Sequence, residues 1–140
     1  MMTSAKLSPE LFRVIDANIN RLKEGIRVVE DILRYRDNNK ELASKLKNLR
    51  HIATIRDYKI LLQNRDSIND VLRSSTKSEQ NRTSIESILT ANFKRAEESS
   101  RVLEELYKLS DINQSETFKN IRYELYALEK DVLLNEKKDI

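Results

Sequence analysis

From Phe12 onward, apolar residues return every three or four positions: Phe12, Ile15, Ile19, Leu22, Ile26, Val29 and Leu33. At about 100° per residue they fall on one stripe, which predicts an amphipathic helix over residues 9–36. Ser8 and Pro9 supply its start, a capping hydroxyl followed by proline at the first helical position. Asp37, Asn38 and Asn39 end it. A second helix is expected over 40–62, with Leu42, Leu46, Leu49, Ala53 and Ile60 turned inward. Residues 63–82 are polar and lose the period, so they read as a long connection, with room for a helical turn near 67–73. Thr83 or Ser84 can cap a third helix, whose apolar positions include Ile85, Leu89, Phe93, Ala96, Leu103 and Leu106 and which ends near Leu109. A turn over 110–113 leads to a fourth helix over 114–134, and the residues after it read as a frayed tail.

The first and third helices match each other. At an offset of 74, residues 17–32 share seven identities in sixteen with residues 91–106, among them Ala17, Asn18, Arg21, Glu24, Arg27, Val28 and Glu30. Ordinary residue frequencies give about one. At an offset of 72, Lys47-Asn48-Leu49-Arg50 meets Lys119-Asn120-Ile121-Arg122, and Leu61-Leu62 meets Leu133-Leu134. A repeat of this kind marks a duplicated supersecondary unit, and a helical hairpin cannot bury its own stripe alone. The expectation is an all-α single domain: a four-helix bundle of two duplicated hairpins (9–62 and 83–134) with pseudo-two-fold symmetry, joined by the 63–82 loop.

Composition narrows the chemistry. The 140 residues contain one glycine, Gly25, one proline and no cysteine, so disulfides, thiolate metal sites and glycine-rich phosphate loops are excluded. Charged residues make up 35% and alternate in sign, with a net charge of +3 and a pI near 9.1. A basic pocket for a phosphorylated ligand fits that balance; nucleic-acid binding does not, because no basic block emerges. No apolar run approaches the roughly 20 residues of a membrane span, and the N-terminus lacks the apolar stretch of a signal peptide. The chain reads as a cytoplasmic protein, and its mixed-charge outer faces allow a homodimer.

Two groups of residues could carry chemistry. Asn18, Arg21, Gly25 and Val28 lie along one edge of the first stripe, and Asn92, Arg95, Ser99 and Val102 repeat them. An arginine beside a small residue can hold a phosphate, and asparagine offers both donor and acceptor. Two polar pockets would follow; a helix crossing fixed by Asn and Arg bonds to carboxylates such as Glu24 and Glu98 is the other reading. Arg27, Glu30, Arg101 and Glu104 fall on the far side of the wheel, where i,i+4 pairs usually decorate a solvated face. In the loop, Arg65, Asp66, Ser67, Asp70, Glu79 and Arg82 concentrate charge. Asp66 and Asp70 could hold Mg²⁺ together with a nucleotide's phosphates, or the segment could be a solvated linker. His51, the only histidine, reads as a packed or surface residue.

The strings IDANINRLKEGIRVVED, RDSINDV, ANFKRAEESSRVLEE and IRYELYALEK, in that order, resemble a known family. It is the helical hydroxymethylpyrimidine phosphate kinase domain found ahead of thiamine-phosphate synthase in some bacteria and free in others. The resemblance implies an ATP- and Mg²⁺-dependent kinase that converts 4-amino-5-hydroxymethyl-2-methylpyrimidine phosphate to the diphosphate. It implies binding roles for Asn18, Arg21, Asn92 and Arg95 in two A-N-x-x-R motifs and for Glu79 and Arg82 in E-x-x-R. It implies catalytic roles for Arg65, Asp66 and Asp70, the two aspartates also as metal ligands. The chain departs from the family at Leu72, where glycine is usual, and at Glu98-Ser99-Ser100-Arg101, where the second motif commonly continues E-A-L-R. Two other functions are compatible: a non-catalytic module that docks on thiamine-phosphate synthase, and a chorismate-mutase-like helical enzyme, which the tandem repeat disfavours.

Overall fold

The computed structural model describes residues 7–76 and 80–135. Among them there are only helices and their connections. Helix α1 spans Pro9–Asp31 and runs directly into a π-helical turn, Ile32–Arg36; α2 spans Lys40–Ile52, α3 Tyr58–Asn64, α4 Ile85–Tyr107 and α5 Ile112–Leu134. No described helix is long and apolar enough to cross a membrane.

The ends are set by side chains that satisfy otherwise unpaired backbone N–H groups. Ser8 accepts from the Leu11 amide with Pro9 at the first position of α1. Asn38 takes a positive φ of 51°, which turns the chain, and Asn39 then caps α2 by accepting from Leu42 at 3.1 Å. Ser84 and Ser87 bond reciprocally at the start of α4, and Asp111 caps α5 by accepting from Gln114.

The expected stripes form the core. Ile15, Leu22, Ile26 and Val29 of α1 are buried with Leu89, Phe93, Ala96 and Leu103 of α4; Leu46 and Leu49 of α2 and Phe118, Ile121 and Leu125 of α5 complete the cluster. The ring of Tyr107 stacks on Phe118 with centroids 5.7 Å apart. The main packing runs α2 and α3 on α1, α1 on α4, and α4 on α5. Gly25 lies at the α1–α4 crossing: a Cβ there would come within 2.9 Å of the Asn92 carbonyl oxygen.

The helix expected over 40–62 is in fact two. Ala53 leaves the helical region (φ −71°, ψ 70°), and residues 53–57 form a bend before α3. Ile52, Thr54 and Ile55 are β-branched, and the Thr54 hydroxyl competes for backbone by donating to the His51 carbonyl at 2.6 Å. The Thr54 carbonyl, freed from the helical ladder, accepts from the Gln114 side chain of α5 at 2.9 Å. After the bend the inward position is Leu61, and Ile60, expected inside, is exposed.

On the far face of α1 and α4, Arg27 and Arg101 are exposed and make the expected i,i+4 pairs with Asp31 and Glu105, but Glu30 and Glu104 are not on a solvated surface. Both are buried, each paired with an arginine of the following helix. Arg50 Nε and Nη2 bond the two oxygens of Glu30 at 2.7 and 3.1 Å. Arg122 Nη2 bonds Glu104 at 2.8 Å, and Arg101 approaches its other oxygen at 3.2 Å. Both glutamates belong to the first repeat match and both helix-partner arginines to the second, so the repeat specifies these pairs as well as the core.

Candidate functional site

The segment after α3 folds back along the N-terminal half of α1, and a cleft of about 770 Å³ lies between them. Its α1 wall includes Arg13, Asp16, Asn18, Asn20, Arg21 and Glu24; its loop wall includes Arg65, Asp66, Ser67, Asn69, Asp70 and Val71. Five residues expected from sequence thus meet at one place: Asn18 and Arg21 from a helix, Arg65, Asp66 and Asp70 from the loop.

The bend between α2 and α3 makes this possible, because it turns α3 onto α1 and delivers Arg65 to Asp16. Arg65 Nε and Nη2 each bond one oxygen of Asp16 at 2.7 Å, a parallel two-bond fork. Asp16 is only 4% exposed. Its carboxylate, with help from the Tyr58 hydroxyl, holds the Arg65 guanidinium charged well above its ordinary range. The Asn20 amide adds a bond to Asp16 Oδ1 at 3.2 Å.

The loop holds its own shape through its aspartates. Asp66 accepts from the Asn69 backbone at 3.1 Å and from the Asn69 side chain at 2.8 Å, and these bonds hold its carboxyl below the usual carboxylate range. Asp70 accepts from the Leu72 amide at 3.0 Å. On the helix side, the Asn18 amide donates to the Val14 carbonyl at 2.8 Å while its oxygen makes no hydrogen bond among the described residues. Arg21 is exposed and has no hydrogen-bond or ion-pair partner among them. With Asp16 and Arg65 neutralising each other, the cleft retains two arginines and four carboxylates, Glu10, Glu24, Asp66 and Asp70.

The other expected residues are elsewhere. Asn92 repeats the bond of Asn18, donating to Ile88 at 2.8 Å, and Arg95 is exposed, but neither lines the cleft. Arg82 is an exposed residue outside it that donates to the Asn81 carbonyl. Glu79 lies outside the described residues. No group of three potential metal-ligating His, Cys, Asp or Glu side chains occurs among the described residues. His51 is exposed and does not line the cleft.

Asp16 is the residue that sequence reasoning missed. Two signals pointed to it: a charge directly beside Ile15 on the buried stripe, and a departure from the repeat, since Thr90 stands at the matching position.

The pattern that defines the ThiD2 family matches residues 13–131. The chain belongs to the ThiD2 family. Thiamine-phosphate synthases are among its relatives. That of Synechocystis sp. is 41% identical over 122 residues, covering 86% of this chain and 36% of the relative. That of Prochlorococcus marinus is 36% identical over 124 residues, covering 88% and 35%. That of Thermosynechococcus vestitus is 36% identical over 135 residues, covering 96% and 38%. This ThiD2-family chain therefore spans little more than a third of the length of the curated relatives it matches. No solved structure matches it.

Proposed function

We propose that this chain acts in thiamine biosynthesis as a kinase, using ATP and Mg²⁺ to convert 4-amino-5-hydroxymethyl-2-methylpyrimidine phosphate to the diphosphate. The observation that carries this reading is the convergence of Asn18, Arg21, Arg65, Asp66 and Asp70 on one cleft. Family membership and the thiamine-phosphate synthase relatives supply its metabolic setting.

The residues fit the cofactors. Mg²⁺ in phosphoryl transfer usually binds one or two carboxylates and completes its shell with phosphates and water, so a three-ligand protein cage is not required. Asp66 and Asp70 would hold it. The excess of carboxylates over free arginines argues the same way, because a polyphosphate entering this cleft needs a cation to balance it. The metal would neutralise charge on the transferring phosphoryl group. Arg21, with its guanidinium unengaged, would bind phosphate oxygens bidentately. Arg65 has N–H donors beyond those engaged by Asp16 and Tyr58, and these would face the same phosphates. The free oxygen of Asn18 would accept from the 4-amino group of the pyrimidine. The nucleophile is an oxygen of a phosphate monoester, already ionised near neutral pH, so a distant His51 is no obstacle.

The test is ADP release by purified protein given ATP, Mg²⁺ and the pyrimidine monophosphate. Release that depends on the monophosphate supports the reading, and none above a no-substrate control overturns it. The length of the relatives favours a second reading, a module that docks on thiamine-phosphate synthase; it predicts synthase binding with no ADP release.

A further inference from the structure

We propose that Asp16 is a positioning residue: by gripping Arg65 it fixes the loop against α1, so that Asp66 and Asp70 share a cleft with Asn18 and Arg21. The functional half of this inference rests on the kinase reading above; the anchoring half does not.

A carboxylate as buried as Asp16 is unfavourable unless it is paired and hydrogen-bonded, so its partner is held strongly. Two parallel bonds of 2.7 Å fix the orientation of the guanidinium as well as its distance. Among the described residues, these are the hydrogen bonds that join residues 65–72 to α1. Among the described residues, the hydrogen bonds of Asp66 and Asp70 stay within the loop, and Arg13 of α1 adds a through-space attraction to Asp66 without a hydrogen bond. Asp16 is itself supported by Asn20, which bonds its side chain and its carbonyl oxygen, the latter at 2.9 Å. The second half of the repeat, with Thr90 in this position, has no such grip, and its Asn92 and Arg95 stand outside the cleft.

Asp16→Asn, Asp16→Glu and Arg65→Gln test it, with thermal melts as a check on folding. Removing a residue that orients metal and phosphate ligands typically costs 10–100-fold. Asp16→Asn is therefore expected to raise the KM for Mg²⁺·ATP by about tenfold or more, with the KM for the pyrimidine monophosphate nearly unchanged. Loss of folded protein alone would lower kcat and leave both KM values in place. Native-state trypsin cleavage after Arg73 reads the anchor directly and should accelerate several-fold in Asp16→Asn and in Arg65→Gln. Asp16→Glu, which keeps the charge, should fall between wild type and Asp16→Asn in both measurements. Unchanged KM for Mg²⁺·ATP in an active enzyme, or unchanged cleavage after Arg73, overturns the proposal. If the wild type releases no ADP, the kinase reading fails, and the cleavage rates still decide the anchor. If Asp16→Asn does not fold, Arg65→Gln decides by the same two measurements.

Discussion

Asn18 and Asn92 make the same bond in different surroundings. Each side-chain amide donates at 2.8 Å to the carbonyl four residues back, yet only Asn18 lines the cleft. Arg21 and Arg95 inherit the same difference. Arg21→Ala is expected to lower kcat/KM by about tenfold or more, a loss near 1.4 kcal/mol of transition-state stabilisation, while Arg95→Ala stays within a few-fold. Steady-state kinetics of the two variants side by side check this. Equal losses would move the second motif into the site.

Gly25 is needed for the approach of two helices. Alanine would gain up to about 1 kcal/mol of helix propensity, but its Cβ would meet the Asn92 backbone oxygen at 2.9 Å. A backbone oxygen cannot swing aside as a side-chain tip can, so α1 and α4 must part. Gly25→Ala should therefore destabilise the fold by about 1–3 kcal/mol net, measured by urea denaturation.

Glu30 and Glu104, buried against arginines, should be costly to lose. Glu30 is 1% exposed, and its removal leaves the Arg50 guanidinium unpaired in the packed α1–α2 contact. Glu30→Ala is expected to cost about 3–5 kcal/mol, and Glu104→Ala a similar amount. Arg27→Ala, which removes an exposed i,i+4 contact to Asp31, should change stability by less than about 1 kcal/mol in the same assay.

Glu97 makes stability fall as pH rises. It is buried on α4, near Glu129 of α5, with Lys94 reaching both at 3.2 Å. Burial first, then a hydrogen bond shared with Glu129, pushes its carboxyl up to about 7 against the pull of Lys94. Its folded value thus lies above the unfolded one, near 4.5, and the folded state binds the extra proton between them. This contribution is fully present below about pH 4.5 and is lost as pH passes through about 7. Glu97→Gln should raise the melting temperature by a few degrees at pH 8 and leave it nearly unchanged at pH 4.5. The reverse order across those two melts would contradict the assignment.

Much of this architecture is legible in the chain. The period of Ile15, Ile19, Leu22, Ile26 and Val29 sets the buried face of α1, and Ser8 and Ser84 mark helix starts through the bonds that their side chains make. The grouping of Asn18 and Arg21 with Arg65, Asp66 and Asp70 needed a fold, because 44 positions separate Arg21 from Arg65 and no local rule joins them. The wheel misplaced Glu30 and Glu104 because a one-helix projection does not show the second helix whose arginine makes burial tolerable. The break at residues 53–57 carries no glycine or proline, only weak β-branched preferences, and tertiary contacts decide it.

That break has an implication for engineering. An uninterrupted helix would carry Arg65 roughly 18 Å beyond Ala53 along the axis of α2, at 1.5 Å per residue. The homologous stretch of α5 does run straight, through Ile112–Leu134. Substitutions such as Thr54→Ala, which any propensity-guided stabilisation would choose early, would reward the straight conformer in the first half too. A more heat-resistant protein obtained that way is expected to trade away its cleft.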